Sequence, residues 1–314
     1  MNNTDRQYQE IADHIIHNGS AKTDRTGTGT TSIFGHQLRF NLQEGFPILT
    51  SKRVHFKSVI GELLWFLSGS TSATELQEKF GVTIWNEWKD EFGGLGPVYG
   101  KQWVDWGGYA ICSGKVIKGH NDGINQIQGV IDTLKSDPDS RRMVVSAWNV
   151  SDLKDMALQP CHMMFQFYSR ELTLSDRTKL VGASINKNPL YFEDFDHGDF
   201  DMYGYPSRTL SCHMYQRSCD VALGLPFNIA SYAALTHMVA QQVNMIPDEL
   251  IMSFGDIHVY NNHIHGLRNQ LLQPVYTLPK LEIQKANDIF SYNMEDFKLI
   301  NYKHSPKVKY EVAV

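Results

Sequence analysis

Apolar side chains recur at Tyr8, Ile11, Ala12, Ile15 and Ile16, the one-face spacing of an amphipathic helix, with Gly19 placed to stop it. Alternation through Ile33, Gly35, Gln37 and Arg39 predicts a strand. From Val59 to Leu67 the chain is apolar nearly throughout, which predicts a helix with no polar side. Ile124, Ile127, Val130, Ile131 and Leu134 mark another amphipathic helix. The strand MVVSAW follows Asp139-Ser140-Arg141-Arg142, and an apolar, aromatic strand opens at Pro160-Cys161-His162. Leu210 to Val221 alternates as a strand, Gly224-Leu225-Pro226 reads as a turn, and a helix follows with Asn228 as its N-cap. A last strand ends at Asp256-Ile257-His258-Val259-Tyr260. Mixed helices and strands without repeat or linker predict one continuous α+β domain over residues 1–314.

Two stretches interrupt this order. Residues 107–122 are rich in Gly and Lys and predict an exposed loop. Residues 170–209 gather Glu193, Asp194, Asp196, Asp199 and Asp201, a density that invites calcium, but the spacing is not that of an EF-hand loop. A solvated surface excursion is expected there, its role open between covering a site entrance and meeting a partner.

Composition narrows the function classes. At 42% hydrophobic and 20% charged, 314 residues are ample for a large core. A formal charge of −5 argues against general nucleic-acid binding, so an anionic ligand must be met by local arginines. The cysteines at 112, 161, 212 and 219 form no CxxC pair and read as free thiols. No HExxH motif occurs, so no metal is expected. The polar N-terminal segment does not resemble a secretory signal and no apolar run is long enough to span a bilayer, so no membrane association and a cytoplasmic location are expected.

Candidate chemistry lies at a few positions. Glu62 sits among Ile60, Leu63, Leu64 and Trp65, where desolvation must raise its pKa. Cys161 opens a strand, which suits either a small core hydrophobe or a rigidly held nucleophile. Trp85, Trp88, Trp103 and Trp106 alternate with polar residues and Gly, as if lining a groove for a flat heterocycle. The Gly- and Thr-rich loop from Asp24 to Thr30, with Arg25, fits a phosphate contact or a plain hairpin. Lys52, Arg53, His55 and Lys57 form a basic cluster, and Arg141-Arg142 is either a solvated corner or an anion clamp. Along a strand at most one of two adjacent arginines reaches a given local site.

Taken together, DRTGTGT, GELLWFL, TIWNEW, GPVYGKQW, PDSRR, ALQPCH, YQRSCDVALGLPFNIASYA and GDIHVYNNH occur in an order and spacing that resemble the thymidylate synthase family, from about Gln7 to Val314. The resemblance implies a large twisted mixed sheet flanked by helices, its back forming a homodimer interface. It implies reductive methylation of dUMP, with 5,10-methylenetetrahydrofolate as one-carbon and hydride donor, through a covalent adduct of Cys161 with C6 of uracil. By the same resemblance Arg217 favours the thiolate, and Glu62, Tyr99, His162 and Asn228 complete the catalytic set. Arg25, Gln216, Arg217, Ser218, Asp220, Asn228, His258 and Tyr260 match nucleotide contacts. Arg141 and Arg142 match arginines donated across the dimer, which removes the difficulty of the doubled Arg. Lys52, His55, Ile84, Trp85, Trp88, Asp220, Gly224, Phe227, Tyr260 and the C-terminal Ala313 match the folate pocket. Gly61, Asn86 and Ile257 depart from the family pattern, and 170–209 is far longer than its usual hairpin turn. The alternatives are a dUMP hydroxymethylase using the same folate and, from another class, a non-enzymatic nucleotide- or RNA-binding regulator. Trp85 and the apolar C-terminus favour methylation, because both exclude water.

Overall fold

In the computed structural model, which describes residues 2–24, 26–108, 110–112, 115–117, 123–185 and 187–312, the first apolar stripe forms α1 (Asn3–Asn18), ended by Gly19. Asn2 caps it by accepting from the Asp5 N–H at 2.8 Å. The short β1 (Ser20–Lys22) and long β2 (Thr30–Asn41) follow. Next come α2 (Phe56–Leu67), α3 (Ala73–Phe80) and α4 (Tyr99–Val104). Where an exposed loop was expected at 107–122, β3 (Ala110–Cys112) and β4 (Lys115–Ile117) pair as an antiparallel ribbon. Then α5 (Gln126–Ser136) leads to β5 (Val144–Ser146) and β6 (His162–Glu171). After α6 (Leu174–Ser184) and α7 (His197–Met202) the chain enters β7 (Arg208–Asp220), α8 (Gly224–Gln242) and β8 (Ile246–Tyr260). It closes with α9 (Ile264–Leu271) and a ribbon of β9 (Lys280–Ile283) and β10 (Phe297–Ile300).

Six strands join in the order β1-β2-β8-β7-β6-β5. Only β7 and β8 run parallel, because α8 carries the chain back over one face between them. This is the expected α+β fold with a mixed sheet. The helix α8 is apolar on most of its circumference and is correspondingly buried, packing with α2 against the inner face. Gly61 earns its place in α2 by closeness: a Cβ there would meet Phe80 Cβ at 2.8 Å. On the outer face Phe34 and Tyr168 are 82% and 63% exposed, beside the cross-strand pair Met164 and Tyr215.

The turn expected at Gly224-Leu225-Pro226 is instead the first turn of α8. Pro226 is tolerated there because N–H groups of the first turn have no intrahelical acceptor. Asn228 is therefore a helical residue, and Leu223 occupies the N-cap position.

The acids of this stretch are solvated as expected, with Glu193, Asp194, Asp196 and Asp201 exposed, but beneath them the insertion has a core of its own. Phe192, Phe200, Val181 and Leu172 bury against Ile246, with Phe195 and Tyr205 packed on them, in a core separate from the main one. Arg177, 1% exposed, runs through it. Its guanidinium donates to Pro206 O (2.9 Å), His197 O (3.0 Å), Tyr205 O (2.8 Å) and the Asp201 carboxylate (2.5 Å). Arg177→Ala is expected to destabilise this unit by about 3 kcal/mol, because three carbonyls and a carboxylate lose a shared donor. Hydrogen exchange over 174–205 should accelerate selectively; unchanged protection there would refute the assignment. Since the unit follows Glu171, nine residues along β6 from His162, it leaves the sheet about 30 Å from Cys161. It does not cover the entrance to this chain's own Cys161 site.

Candidate active site

The sheet register brings one end of every long strand together. His162 faces Gln216, Ser218 faces Asp256, Asp220 faces His258, and Thr30 faces Tyr260. Close parallel pairing at this end requires Gly255, whose absent side chain would stand 2.8 Å from Arg217 O.

Cys161 is held by its backbone rather than its sulfur. Its N–H donates to Tyr99 Oη at 2.7 Å, and its carbonyl accepts from the Arg217 N–H at 2.8 Å. The Arg217 guanidinium donates to Pro160 O (2.8 Å) and Gln159 O (2.9 Å) and lies 5.5 Å from the Trp148 ring. Arginine thus fastens the loop that presents the thiol. Burial pushes the Cys161 thiol above its usual pKa, and the positive charge of Arg217 opposes that rise without overcoming it. The depression expected from Arg217 alone is therefore not reached within one chain, because desolvation is the larger effect. Cys161 is still the most accessible of the three cysteines whose side chains are described. Cys212 and Cys219 are enclosed, and burial raises both thiols, Cys212 to about 12.

Glu62 is 8% exposed in α2, as the sequence required, and accepts from Trp85 Nε1 at 2.7 Å. Burial raises its pKa to about 7, against the lowering effect of the Trp85 bond. The Tyr99 ring, at the start of α4, stacks on His162 with centroids 4.0 Å apart and touches Trp85 edge-on. His162 Nδ1 lies 2.8 Å from Tyr232 Oη, and burial pushes the imidazole down to about 3, so it is neutral. Tyr232 was missed in the sequence, yet it stands one helical turn beyond Asn228 and shares its face. Trp148 was missed as well; nothing local marks its distant partner.

Asn228 Oδ1 accepts from Gln216 Nε2 at 3.1 Å, and the same amide donates to Ser218 O at 3.0 Å. Asp220 accepts from the N–H groups of Ala222 (2.8 Å) and Leu223 (3.3 Å), which fixes the entry to α8 and Gly224. His258 Nδ1 is 3.1 Å from Asp256 Oδ1, and its ring meets Tyr260 edge-on at 5.2 Å. Lys52 is turned inward: it is 4% exposed, donates to Ala222 O and lies 4.9 Å from the Tyr310 ring. Burial lowers its pKa to about 8 despite the nearby Asp220. His263, weighed in the sequence only as a metal ligand, and Tyr310, which the sequence did not single out, form the wall beside it with centroids 5.0 Å apart.

Of the tryptophans, Trp103 is core, packed on Phe66, Phe165 and Tyr232 rather than lining a groove. Trp85 and Trp88 meet edge-on at 6.0 Å, and Ile84 beside them is 43% exposed. That ledge, with half-buried Phe227, is an apolar surface suited to a flat ring. His55 is exposed at the head of α2, its Nδ1 2.7 Å from Ser58 Oγ. Arg141 and Arg142 are exposed before the edge strand β5, whose first residue pairs with Gln166. One chain does not bring them to Cys161. Arg25 and Ala313 lie outside the described residues. Of the departures, Ile257 is fully buried in β8, and Asn86 donates to Gln77 at 2.7 Å.

Among the described residues no three His, Cys, Asp or Glu side chains cluster as metal ligands, and no helix is long and apolar enough to cross a membrane. A family model described as thymidylate synthase matches residues 6–314.

Proposed function

The chain belongs to the thymidylate synthase family, and from that premise we propose that it converts dUMP to dTMP through covalent addition of Cys161 to the uracil ring. The observation that carries this reading is the fixing of Cys161 between Tyr99 and Arg217, with a buried carboxylate of pKa about 7 in the same aromatic wall. C6 of uracil is the β-carbon of an unsaturated carbonyl. The Cys161 thiolate adds there, and the electron pair of the C5–C6 bond moves onto C5 and O4. Tyr99 and the neutral His162 lie beside the reacting edge, and Glu62 organises proton movement at O4 and C5. Asn228, oriented by Gln216, accepts from N3–H and donates to O4, the pairing that uracil offers and cytosine reverses.

Arg217 and Ser218, with Arg25, bind the phosphate, and His258 and Tyr260 hold the ribose; Asp220 lies between the nucleotide and the second substrate. The Ile84, Trp85, Trp88, Gly224 and Phe227 surface stacks the pterin, with Lys52, His55 and Ala313 at its margins. When bound, 5,10-methylenetetrahydrofolate supplies the one-carbon unit and then the hydride, and leaves as dihydrofolate. Two copies pair through the outer sheet face around Phe34, Met164, Tyr168 and Tyr215, and each lends Arg141 and Arg142 to the other's phosphate. Exposed apolar side chains of this size on an unpartnered sheet support that pairing.

Incubation with dUMP and the methylene folate, followed by mass analysis of the nucleotide, tests the reading. A methyl gain is expected. A hydroxymethyl gain would transfer the chain to the hydroxymethylase reaction, and no folate-dependent change would remove the enzymatic reading.

A further inference from the structure

The root of the 170–209 insertion carries a second buried arginine, whose partners differ from those of Arg177. Arg208, 8% exposed, is the first residue of β7 and pairs in register with Glu171. Its guanidinium donates to Ser169 Oγ (Nε, 3.0 Å), Glu171 Oε1 (3.1 Å) and Asp139 Oδ1. Ser169 Oγ in turn donates to Pro138 O at 2.7 Å. Asp139 and Pro138 belong to the loop between α5 and β5, and Arg141-Arg142 follows directly. The sheet and the buried Met143 anchor its far end, and the stretch from Pro138 to Arg141 has few other ties. Asp139, Arg141 and Arg142 are exposed; the Ser140 N–H donates to Asp137 O (3.0 Å) and Gln166 Nε2 to Arg141 O (3.0 Å), and past the arginines the Val144 N–H donates to Arg142 O (2.9 Å), the Phe167 N–H to Met143 O (3.0 Å), and Met143 is buried. An exposed segment with few buried contacts samples many positions unless it is pinned.

We infer that Arg208 is a positioning residue for nucleotide binding, pinning the Pro138–Asp139 loop so that Arg141 and Arg142 stand where a phosphate can be met. The inference rests on the proposed role of those two arginines and adds the group that sets their backbone. A planar fork is what the geometry uses. One side of the guanidinium takes Asp139, another takes Glu171, and Nε orients the Ser169 hydroxyl toward Pro138. Because Asp139 is 73% exposed at its side chain and Arg208 only 10%, the buried partner defines the position and the exposed one follows. Phosphate contacts act on ground state and transition state alike, so a displaced arginine pair raises KM for dUMP and leaves kcat nearly unchanged.

Arg208→Met is expected to raise the dUMP KM about tenfold with kcat within about twofold. Asp139→Ala, at an exposed site where folding is not at stake, is expected to raise it about threefold. Neither change should add to the KM of an Arg141→Ala/Arg142→Ala variant. That silence separates positioning from a general loss of stability, which would persist in both backgrounds. Additive KM effects in the double-arginine background would overturn the inference. So would a wild-type KM in both Arg208→Met and Asp139→Ala beside a defective double-arginine variant. If the double-arginine variant itself kept the wild-type KM, the underlying reading of Arg141 and Arg142 would fall, and the inference with it.

Discussion

Cys161→Ser is expected to lower turnover of dUMP by about 10⁴-fold or more, with the fold intact. The backbone of residue 161 carries the anchoring bonds to Tyr99 and Arg217, and neither involves the sulfur. Serine therefore sits in the same place and offers an oxygen that stays protonated at any working pH, a poor match for a soft conjugated carbon. Release of hydrogen from C5-labelled substrate reads the addition directly, because C5 exchanges only after C6 has been attacked. Equal release by the serine variant would take the nucleophile away from Cys161. The wild-type rate should also climb with pH, since burial holds the thiol above its usual pKa and only the thiolate adds. In the proposed dimer the partner's arginines would add positive charge near this thiol, and a thiol pKa lower in the dimer than in the single chain is the expected direction.

Glu62→Gln is expected to reduce kcat by roughly 10²- to 10³-fold, the range for loss of a general acid–base group. Glutamine can still accept from Trp85 Nε1, so the wall between α2 and Trp85 stands while the proton acceptor is lost. The same change alters stability in a way that activity loss alone cannot imitate. The folded pKa of Glu62 is raised to about 7 from 4.5, so folding favours the protonated acid. Its contribution is fully present below the unfolded pKa and is lost as pH rises through 7. By pH 9 the loss amounts to on the order of 3 kcal/mol, and the glutamine variant escapes it. Denaturant titrations of both proteins at pH 5 and pH 9 check this. Stability differences that stay equal at the two pH values would mean that Glu62 is not desolvated as described.

The surroundings of Glu62 and the position of Cys161 are largely legible in the sequence. The burial of Glu62 followed from apolar neighbours on every side of its helix, a purely local argument. Cys161 gained its reading from distant motifs whose order matched a family, and the strand register then placed those around Cys161, Arg217, His258 and Thr30 at one end of the sheet. The core of the insertion was missed because its exposed acids dominate the composition. Phe192, Phe195, Phe200 and Tyr205 were the better signal, since aromatic residues that close together rarely stay in water. The start of α8 was misplaced because Gly and Pro mark turns and helix first turns equally well. What sequence could not supply were partners set by tertiary approach: Trp148 against Arg217, Tyr232 against His162, and Lys52 turned inward. For the thiol it supplied the sign of one influence and not the balance, because desolvation depends on everything packed around a group.

The insertion joins two strand ends that are already register partners, Glu171 and Arg208. Its outer segments therefore form a permissive seam in the chain. New termini opened at the exposed Leu190-Tyr191 step, within the short 3-10 helix Pro189–Phe192 and with the original ends linked, would interrupt no strand of the six-stranded sheet. Such a circular permutant would let the order of synthesis be varied while the Cys161 end of the sheet keeps its hydrogen bonds, and would separate the history of this hairpin from that of the chemistry it carries.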